Sequence, residues 1–311
     1  MNKIILHFNN WAITGGIPSF IQTFNKAFPE FQHYMCSLRD GGEKSLIHFM
    51  SNQGIKCFHA PKITRELIEE IDPLISVLHN ITNKRNEVED RWMFHDRKVI
   101  NLFHARYASV VPGDIDYFVS NYIAKSYDFK KMKKPIVCPP CVDADRYLKI
   151  KRPPRDKMVI GRIQSQTKGD VTQDFVNLLD SVENTDKFVV SMSRENPILP
   201  DKMPDYLSKI DVLAMWANKD ETWSMVTTEA MLSGIPVVVH NTNDGMAEQM
   251  RKSGGGLLVK SRQGFKEALE RLRDNPELRR ELGNKGREWA LKNASHHTLR
   301  KVLIDDFLAW L

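Results

Sequence analysis

Two glutamates stand eight residues apart in the run Glu221-Thr-Trp-Ser-Met-Val-Thr-Thr-Glu229-Ala-Met-Leu-Ser-Gly234-Ile-Pro236-Val-Val-Val239. The apolar spacing and the closing glycine predict a helix over 223–233, and the valines after Pro236 predict a strand over 236–239. If that helix begins near Ser224, Glu221 lies in the loop before it and Glu229 about one and a half turns inside, roughly 8 Å along the axis. The first N–H groups of a helix, here those of Ser224, Met225 and Val226, lack intrahelical acceptors and sit at the positive end of its dipole. A diphosphate can rest there while one acid reaches a sugar and the other a ribose. An acid near a helix start is also an ordinary stabilising feature, so spacing alone leaves both readings open.

Other residues could serve the same chemistry. Gly161-Arg162 and Lys168-Gly169 lie in the loop expected after a strand over 158–160, where fixed cations would stabilise a departing diphosphate. Thr14-Gly15-Gly16-Ile17-Pro18 follows a strand over 4–8; paired glycines admit a phosphate or sugar close to the backbone, or simply make a tight turn. This run is neither a dinucleotide fingerprint nor a P-loop, so hydride transfer and ATP hydrolysis gain no support. His79 and His104 end two expected strands, positions that suit either a ligand contact or a structural role. Asp114-Ile115-Asp116 has the look of a metal site but also of a strand start. Cys138-Pro-Pro-Cys141 has redox or zinc spacing without a second pair beside it.

The elements that must hold these residues alternate as in βαβ units. In the first half the pattern predicts strands at 4–8, 32–37, 74–78, 99–103, 117–120 and 135–138, with helices at 18–28 and 44–53. The second half reads as strands at 158–160, 187–192, 212–215, 236–239 and 257–259, with helices at 223–233, 265–273, 276–292 and 295–311. The expected fold class is α/β, with two doubly wound, Rossmann-like domains facing across a cleft. Residues 1–148 form the first domain, the Lys/Arg/Pro-rich stretch 149–157 a linker, and 158–294 the second domain; the helix over 295–311 can pack back on the first.

A chain of 311 residues with 41% hydrophobic content suits two domains of ordinary size. No apolar run approaches the roughly 20 residues of a membrane-spanning helix, and the apolar start is too short for a signal peptide. Four cysteines make no disulfide framework, so a cytoplasmic location is expected. Residues 1–157 hold 24 Lys+Arg and 17 Asp+Glu, against 21 and 22 in the remainder, so the net charge of +6 belongs to the first half. Lys130, Lys131, Lys133 and Lys134, and then Lys149, Lys151, Arg152, Arg155 and Lys157, could attract a polyanion or an anionic membrane face, or form a solvated surface.

The pair Glu221 and Glu229, with Ala230-Met231, Gly234, Pro236 and the valines after it, resembles the E-x7-E hallmark of the family 4 retaining glycosyltransferases, the glycosyl transferases of group 1. Three departures are visible. Ser224 stands where the family has glycine, one extra residue separates Arg162 from Lys168, and Pro140-Cys141 replaces an Asn-Gly pair before Val142-Asp143.

The resemblance implies a GT-B fold and transfer of a sugar, with retention, from a UDP- or GDP-linked donor to a hydroxyl. The implied mechanism is front-face displacement, in which the leaving phosphate deprotonates the acceptor without metal or other cofactor. It implies catalytic roles for His104, Arg162, Lys168 and Glu221. Donor contacts fall to Gly15, Gly16, Arg162, Lys168, Glu221, Ser224, Met225, Val226 and Glu229, and Asp143 matches a conserved hinge position. In GT-B enzymes the first domain holds the acceptor. Its positive charge therefore favours an anionic partner, a lipid-linked glycan or polysaccharide at the inner membrane face. The alternatives are a phage-type DNA glycosyltransferase acting on a hydroxylated base, and a nucleotide-sugar 2-epimerase, which shares the architecture. A non-catalytic binding protein would keep the basic half without the donor residues.

Overall fold

The computed structural model describes residues 3–10, 16–39, 44–81, 88, 91–104, 111–165, 172–192, 198–216, 221–240 and 244–311. The chain packs as two units, residues 1–141 with 296–311, and residues 142–295.

The first unit opens with β1 (Ile4–Asn9), buried along its whole length as a central parallel strand must be. It continues through α1 (Gly16–Ala27), β2 (Gln32–Ser37), α2 (Lys44–Asn52), β3 (Lys56–His59), α3 (Arg65–Ile71), β4 (Ile75–His79), β5 (Lys98–Phe103), β6 (Ile115–Phe118), α4 (Asn121–Ala124) and β7 (Pro135–Val137). The seven strands are parallel in the order β3-β2-β1-β4-β5-β6-β7. That order reverses between β1 and β4, the switch point outside whose carboxyl ends such sheets bind ligands.

The second unit holds β8 (Met158–Ser165), α5 (Gln173–Asp180), β9 (Thr185–Met192), α6 (Met203–Leu207), β10 (Val212–Met215), α7 (Met225–Leu232), β11 (Val237–His240), α8 (Gly245–Ser253), β12 (Gly256–Val259), α9 (Arg262–Asp274) and α10 (Pro276–Asn293). Its parallel order is β12-β11-β10-β8-β9, with the switch point between β8 and β10. One face buries Ile163, Leu213, Met231, Val237 and Ala290; the other buries Ile160, Val212, Val238, Phe265 and Leu269. The closing helix α11 (His296–Trp310) rejoins the first unit, setting Leu299, Leu303 and Phe307 in the core with Phe20 and Phe24 of α1 and Phe28 just after it.

Three differences from the sequence reading bear on the candidate site and the division into units. β8 runs five residues beyond the expected 158–160, so Arg162 lies within the strand rather than in the loop after it. The extension is favoured because β9 pairs with β8 along all eight residues, from Met158 opposite Thr185 to Ser165 opposite Met192. The helix expected from residue 223 starts at Met225, because Ser224 adopts an extended conformation and its hydroxyl caps the helix at the N–H of Thr227.

Residues 149–157 are tied to the second unit, since Arg155 pairs with Asp211 and donates to the carbonyl of Ser208, and Arg152 donates to that of Gly234. Divided by packing, the first unit has 20 Lys+Arg against 16 Asp+Glu and the second 25 against 23, a milder asymmetry than the halves suggest. Among the described residues no helix is long and apolar enough to cross a membrane.

Candidate functional site

In the second unit the chemistry gathers at the switch point and the start of α7. The loop before α7 is held by its backbone: Glu221 N–H donates to Asp244 Oδ2 at 2.9 Å, and Gly245 N–H donates to the carbonyl of Glu221 at 2.8 Å. A Cβ on Gly245 would stand 1.8 Å from the Thr222 carbonyl oxygen, so only glycine lets α8 approach this loop. Trp223 Nε1 and Gln249 Nε2 both donate to Thr228 Oγ1, at 3.1 and 2.7 Å, joining loop, α7 and α8. With the hydroxyl of Ser224 bonded to Thr227, the N–H groups of Met225 and Val226 are the helix-tip donors that have no intrahelical partner by geometry. The backbone of Glu221 is thus fixed three residues ahead of the cap, with its side chain half-buried.

Glu229 sits one turn inside α7 and is 5% exposed. Burial pushes its carboxyl up to about 7, opposed by a hydrogen bond from the Tyr147 hydroxyl and by the nearby charge of Arg146. Tyr147 is itself enclosed, and burial holds its phenol well above the usual range. Arg146 in turn pairs with Asp143 at 3.0 Å, so the position matched to the family's hinge aspartate belongs to the network around Glu229. Sequence reasoning missed Tyr147; the signal available was its place four residues after Asp143 in a segment already singled out.

Arg162 is enclosed at the switch point, with 2% of its surface exposed. Its Nη1 lies 2.6 Å from Met215 Sδ at the end of β10, its Nη2 lies 3.5 Å from the Trp216 carbonyl, and its guanidinium stands over the Phe175 ring. The Trp216 and His240 rings stack at 4.0 Å at the carboxyl ends of adjacent strands β10 and β11. A cavity of about 250 Å³ beside them is lined by Thr172, Asp174, Phe175, Leu178, Trp216 and Arg262. Lys168 and Gly15 lie outside the described residues.

In the first unit, Gly16 is the exposed first residue of α1. His104 follows β5, its N–H donating at 2.8 Å to Oδ1 of Asn80, a residue held at φ 53° just beyond β4. Its ring contacts His79 at 3.2 Å, His79 contacts His7 at 3.2 Å, and His7 contacts His33 at 3.3 Å. Burial lowers the basicity of all four, to about 4 for His33 and His104 and well below the usual range for His7 and His79. His7 and His33 were not singled out in the sequence, where each reads as an ordinary polar residue within a strand.

The remaining sequence candidates have structural partners. Asp114 accepts from Val99 N–H and pairs with Lys133, while Asp116 accepts from Asn101. Cys138 and Cys141 are buried beside Tyr117, and burial holds the Cys141 thiol well above its ordinary range. A cavity of about 660 Å³ opens at the amino ends of β5 and β6, away from the switch point.

Residues 144–289 match the family model described as Glycosyl transferases group 1. The second domain belongs to that family. The matched span takes in Tyr147, Arg162, Glu221 and Glu229. Solved structures carry the likeness over the whole chain, and the two-domain architecture is that of the GT-B glycosyltransferases.

A glycosyltransferase from Rickettsia africae superposes with a TM-score of 0.75 at 12% identity, covering 99% of this chain and 98% of its own. HepE from Anabaena, in complex with UDP and glucose, superposes with 0.66 at 13% identity, covering 100% of both chains. MnaA from S. aureus, with UDP, gives 0.65 at 13% identity, covering 100% of this chain and 98% of its own. A sequence search of curated proteins finds no match.

Proposed function

We propose that this protein transfers a sugar, with retention of its anomeric configuration, from a nucleoside diphosphate-sugar to a hydroxyl of an anionic acceptor. One observation carries the reading: the group 1 domain fixes Glu221 beside the capped start of α7 and encloses Glu229 one turn within it. The diphosphate is assigned to the N–H groups of Met225 and Val226, with Arg162 and Lys168 as its cations and Glu221 toward the sugar. As the glycosidic bond breaks, charge grows on the leaving phosphate, and donors already aimed there lower the barrier. That phosphate then takes the proton of the attacking hydroxyl on the same face, so the scheme uses neither a metal nor a dedicated protein base.

Glu229 is assigned to the ribose. A buried carboxyl shared with Tyr147 can accept a ribose hydroxyl, and removing it would leave the phenol without its partner. UDP is the nucleotide to try first, because HepE and MnaA were both captured with it.

The anionic acceptor, a lipid-linked glycan or polysaccharide, is assigned to the first domain. Its support is the positive balance there and the exposure of Lys131, Lys133 and Lys134, which are 83%, 67% and 47% exposed. Each pairs with an acid, but surface pairs contribute only about 0–1 kcal/mol, so a phosphate can displace those carboxylates.

The test is nucleotide release from UDP- and GDP-sugars with an acceptor panel of lipid-linked glycans and hydroxymethylated DNA, in excess chelator. Product configuration is read by NMR. Turnover that survives chelation and drops in Glu229→Ala and Lys168→Ala supports the assignment. Full activity in both variants overturns the donor site, and inverted product overturns the mechanism. Acceptor binding indifferent to salt removes the anionic acceptor, because contacts to nucleic-acid phosphates add about 0.9 each to the salt slope.

A further inference from the structure

His33, His7, His79 and His104 follow the strand order β2-β1-β4-β5 across the first domain's sheet. His33 is level with Ile5, and His7 lies two residues further along β1; His7 is level with Val77, and His79 lies two further along β4; His79 is level with Leu102, and His104 lies two further on. A step of two residues keeps a side chain on the same face of a sheet, so the four rings form a diagonal that climbs to the carboxyl edge. Phe20 and Phe24 of α1 cover it.

The far end of the diagonal fixes its polarity. His33 Nε2 stands 3.0 Å from the carbonyl oxygen of Phe28, which only accepts, so that nitrogen carries a proton. A neutral His33 then offers a lone pair at Nδ1, which takes a hydrogen bond from Nε2 of His7. The same reasoning passes from His7 Nδ1 to His79 Nε2, and from His79 Nδ1 to His104 Nε2. His7, His33 and His79 are buried and His104 is half-buried, and this loss of solvation keeps the rings neutral, as each step requires. His104 is left with its proton on Nε2 and a lone pair on Nδ1. A conducting chain would need a proton acceptor at its far end, and an amide carbonyl is not one.

We propose that this diagonal is a tautomer lock: the Phe28 carbonyl, acting through His33, His7 and His79 as positioning residues, makes His104 Nδ1 an obligate hydrogen-bond acceptor. The chemical consequence is a filter. Such a nitrogen welcomes a hydroxyl and repels phosphate or carboxylate oxygens, which have no proton to give at neutral pH. On the glycosyltransferase reading, with which this clause stands or falls, the group it receives is a sugar hydroxyl.

The experiment uses the full chain labelled with ¹⁵N at histidine, read by long-range ¹H–¹⁵N correlation at pH 7.5. Resonances are assigned by replacing each of the four histidines with glutamine. The lock predicts a protonated Nε2 and bare Nδ1 on all four rings, and it predicts that His33→Phe leaves His104 as a mixture of tautomers. A wild-type His104 protonated on Nδ1, or charged, overturns it without any variant. A His33→Phe protein that folds yet keeps His104 fixed overturns the role of the carbonyl.

UDP and UDP-glucose are then titrated, with binding followed by calorimetry. UDP-glucose is expected to shift His104 Nδ1 where UDP does not. His104→Gln, which keeps a donor toward His79 but has no acceptor where Nδ1 stood, is expected to lower kcat/KM about tenfold at unchanged UDP affinity. Binding of UDP-glucose with His104 Nδ1 unmoved overturns the hydroxyl contact. Absence of binding by either nucleotide counts against the proposed function, while the tautomers still decide the lock.

Discussion

The first domain buries bases and the second buries an acid. Four imidazoles lie under α1 in one sheet, and the carboxyl of Glu229 lies inside α7 in the other. Each domain thereby keeps polar groups near its switch point without isolated charge, but by opposite routes. Imidazoles stay neutral by remaining unprotonated and passing hydrogen bonds along the row; Glu229 stays close to neutral by holding its proton. A neutral imidazole row gives direction, since every ring must donate one way. A buried acid beside a phenol gives a single contact point, and the second domain gains direction from the helix start instead.

Opposite routes predict opposite responses to pH, and the largest effect should come from the histidines. The folded values are about 4 for His33 and His104 and well below 6.5 for His7 and His79, so the unfolded chain binds more protons below pH 6.5 and the first domain loses stability as pH falls below it. By pH 5.5 His33 and His104 alone should cost on the order of 3 kcal/mol, with His7 and His79 adding in the same direction. Hydrogen exchange in β1 and β4 between pH 7.5 and 5.5 checks this, and protection that does not change would break the comparison at its base.

Phe307→Ala should come next. It empties a site that is 0% exposed, where the ring lies 4.3 Å from Phe28, and should cost about 3–5 kcal/mol in the first domain alone. A calorimetric scan in which both domains lose equally would show that they do not unfold separately.

Glu229 supplies the contrary sign. Its folded value of about 7 exceeds the unfolded 4.5, so its contribution is complete below pH 4.5 and is lost as pH rises to 7, roughly 3 kcal/mol in all. Urea titrations followed by tryptophan fluorescence should show the second domain less stable at pH 7 than at pH 5, with the slope removed in Glu229→Gln. The smallest effect belongs to the surface. Lys134→Ala breaks the 2.7 Å pair with Asp306 and should change the midpoint by no more than about 1 kcal/mol, well below either buried group.

The alternation of apolar runs was enough to place most strands of both sheets, and the Glu221 to Val239 run revealed α7 and β11, because local spacing encodes both. What stayed hidden depends on register. No local pattern relates His7 to His33 or His79; only the pairing of Ile5 with His33 and of His7 with Val77 brings them into one row. Tyr147 was hidden for a similar reason, since its partner Glu229 is distant in sequence. β3 was missed because an edge strand with an exposed Lys56 and His59 carries a weak apolar signal. The surface lysines read in sequence as one run of like charge, whereas in the fold they form separate ion pairs with Asp128, Asp114 and Asp306.

The return of α11 to the first unit also orders events during synthesis. Leu299, Leu303 and Phe307 belong to a core whose other members, from Ile5 to Cys141, leave the ribosome earlier. All of residues 142–295 are made in between, so the second domain has its full sequence available while the first still lacks a helix. The rule that the amino-terminal domain is complete first does not apply to such a chain order. Until the last turns of the chain emerge, the Phe28 side of α1 is an uncovered apolar surface that a nascent-chain chaperone could hold.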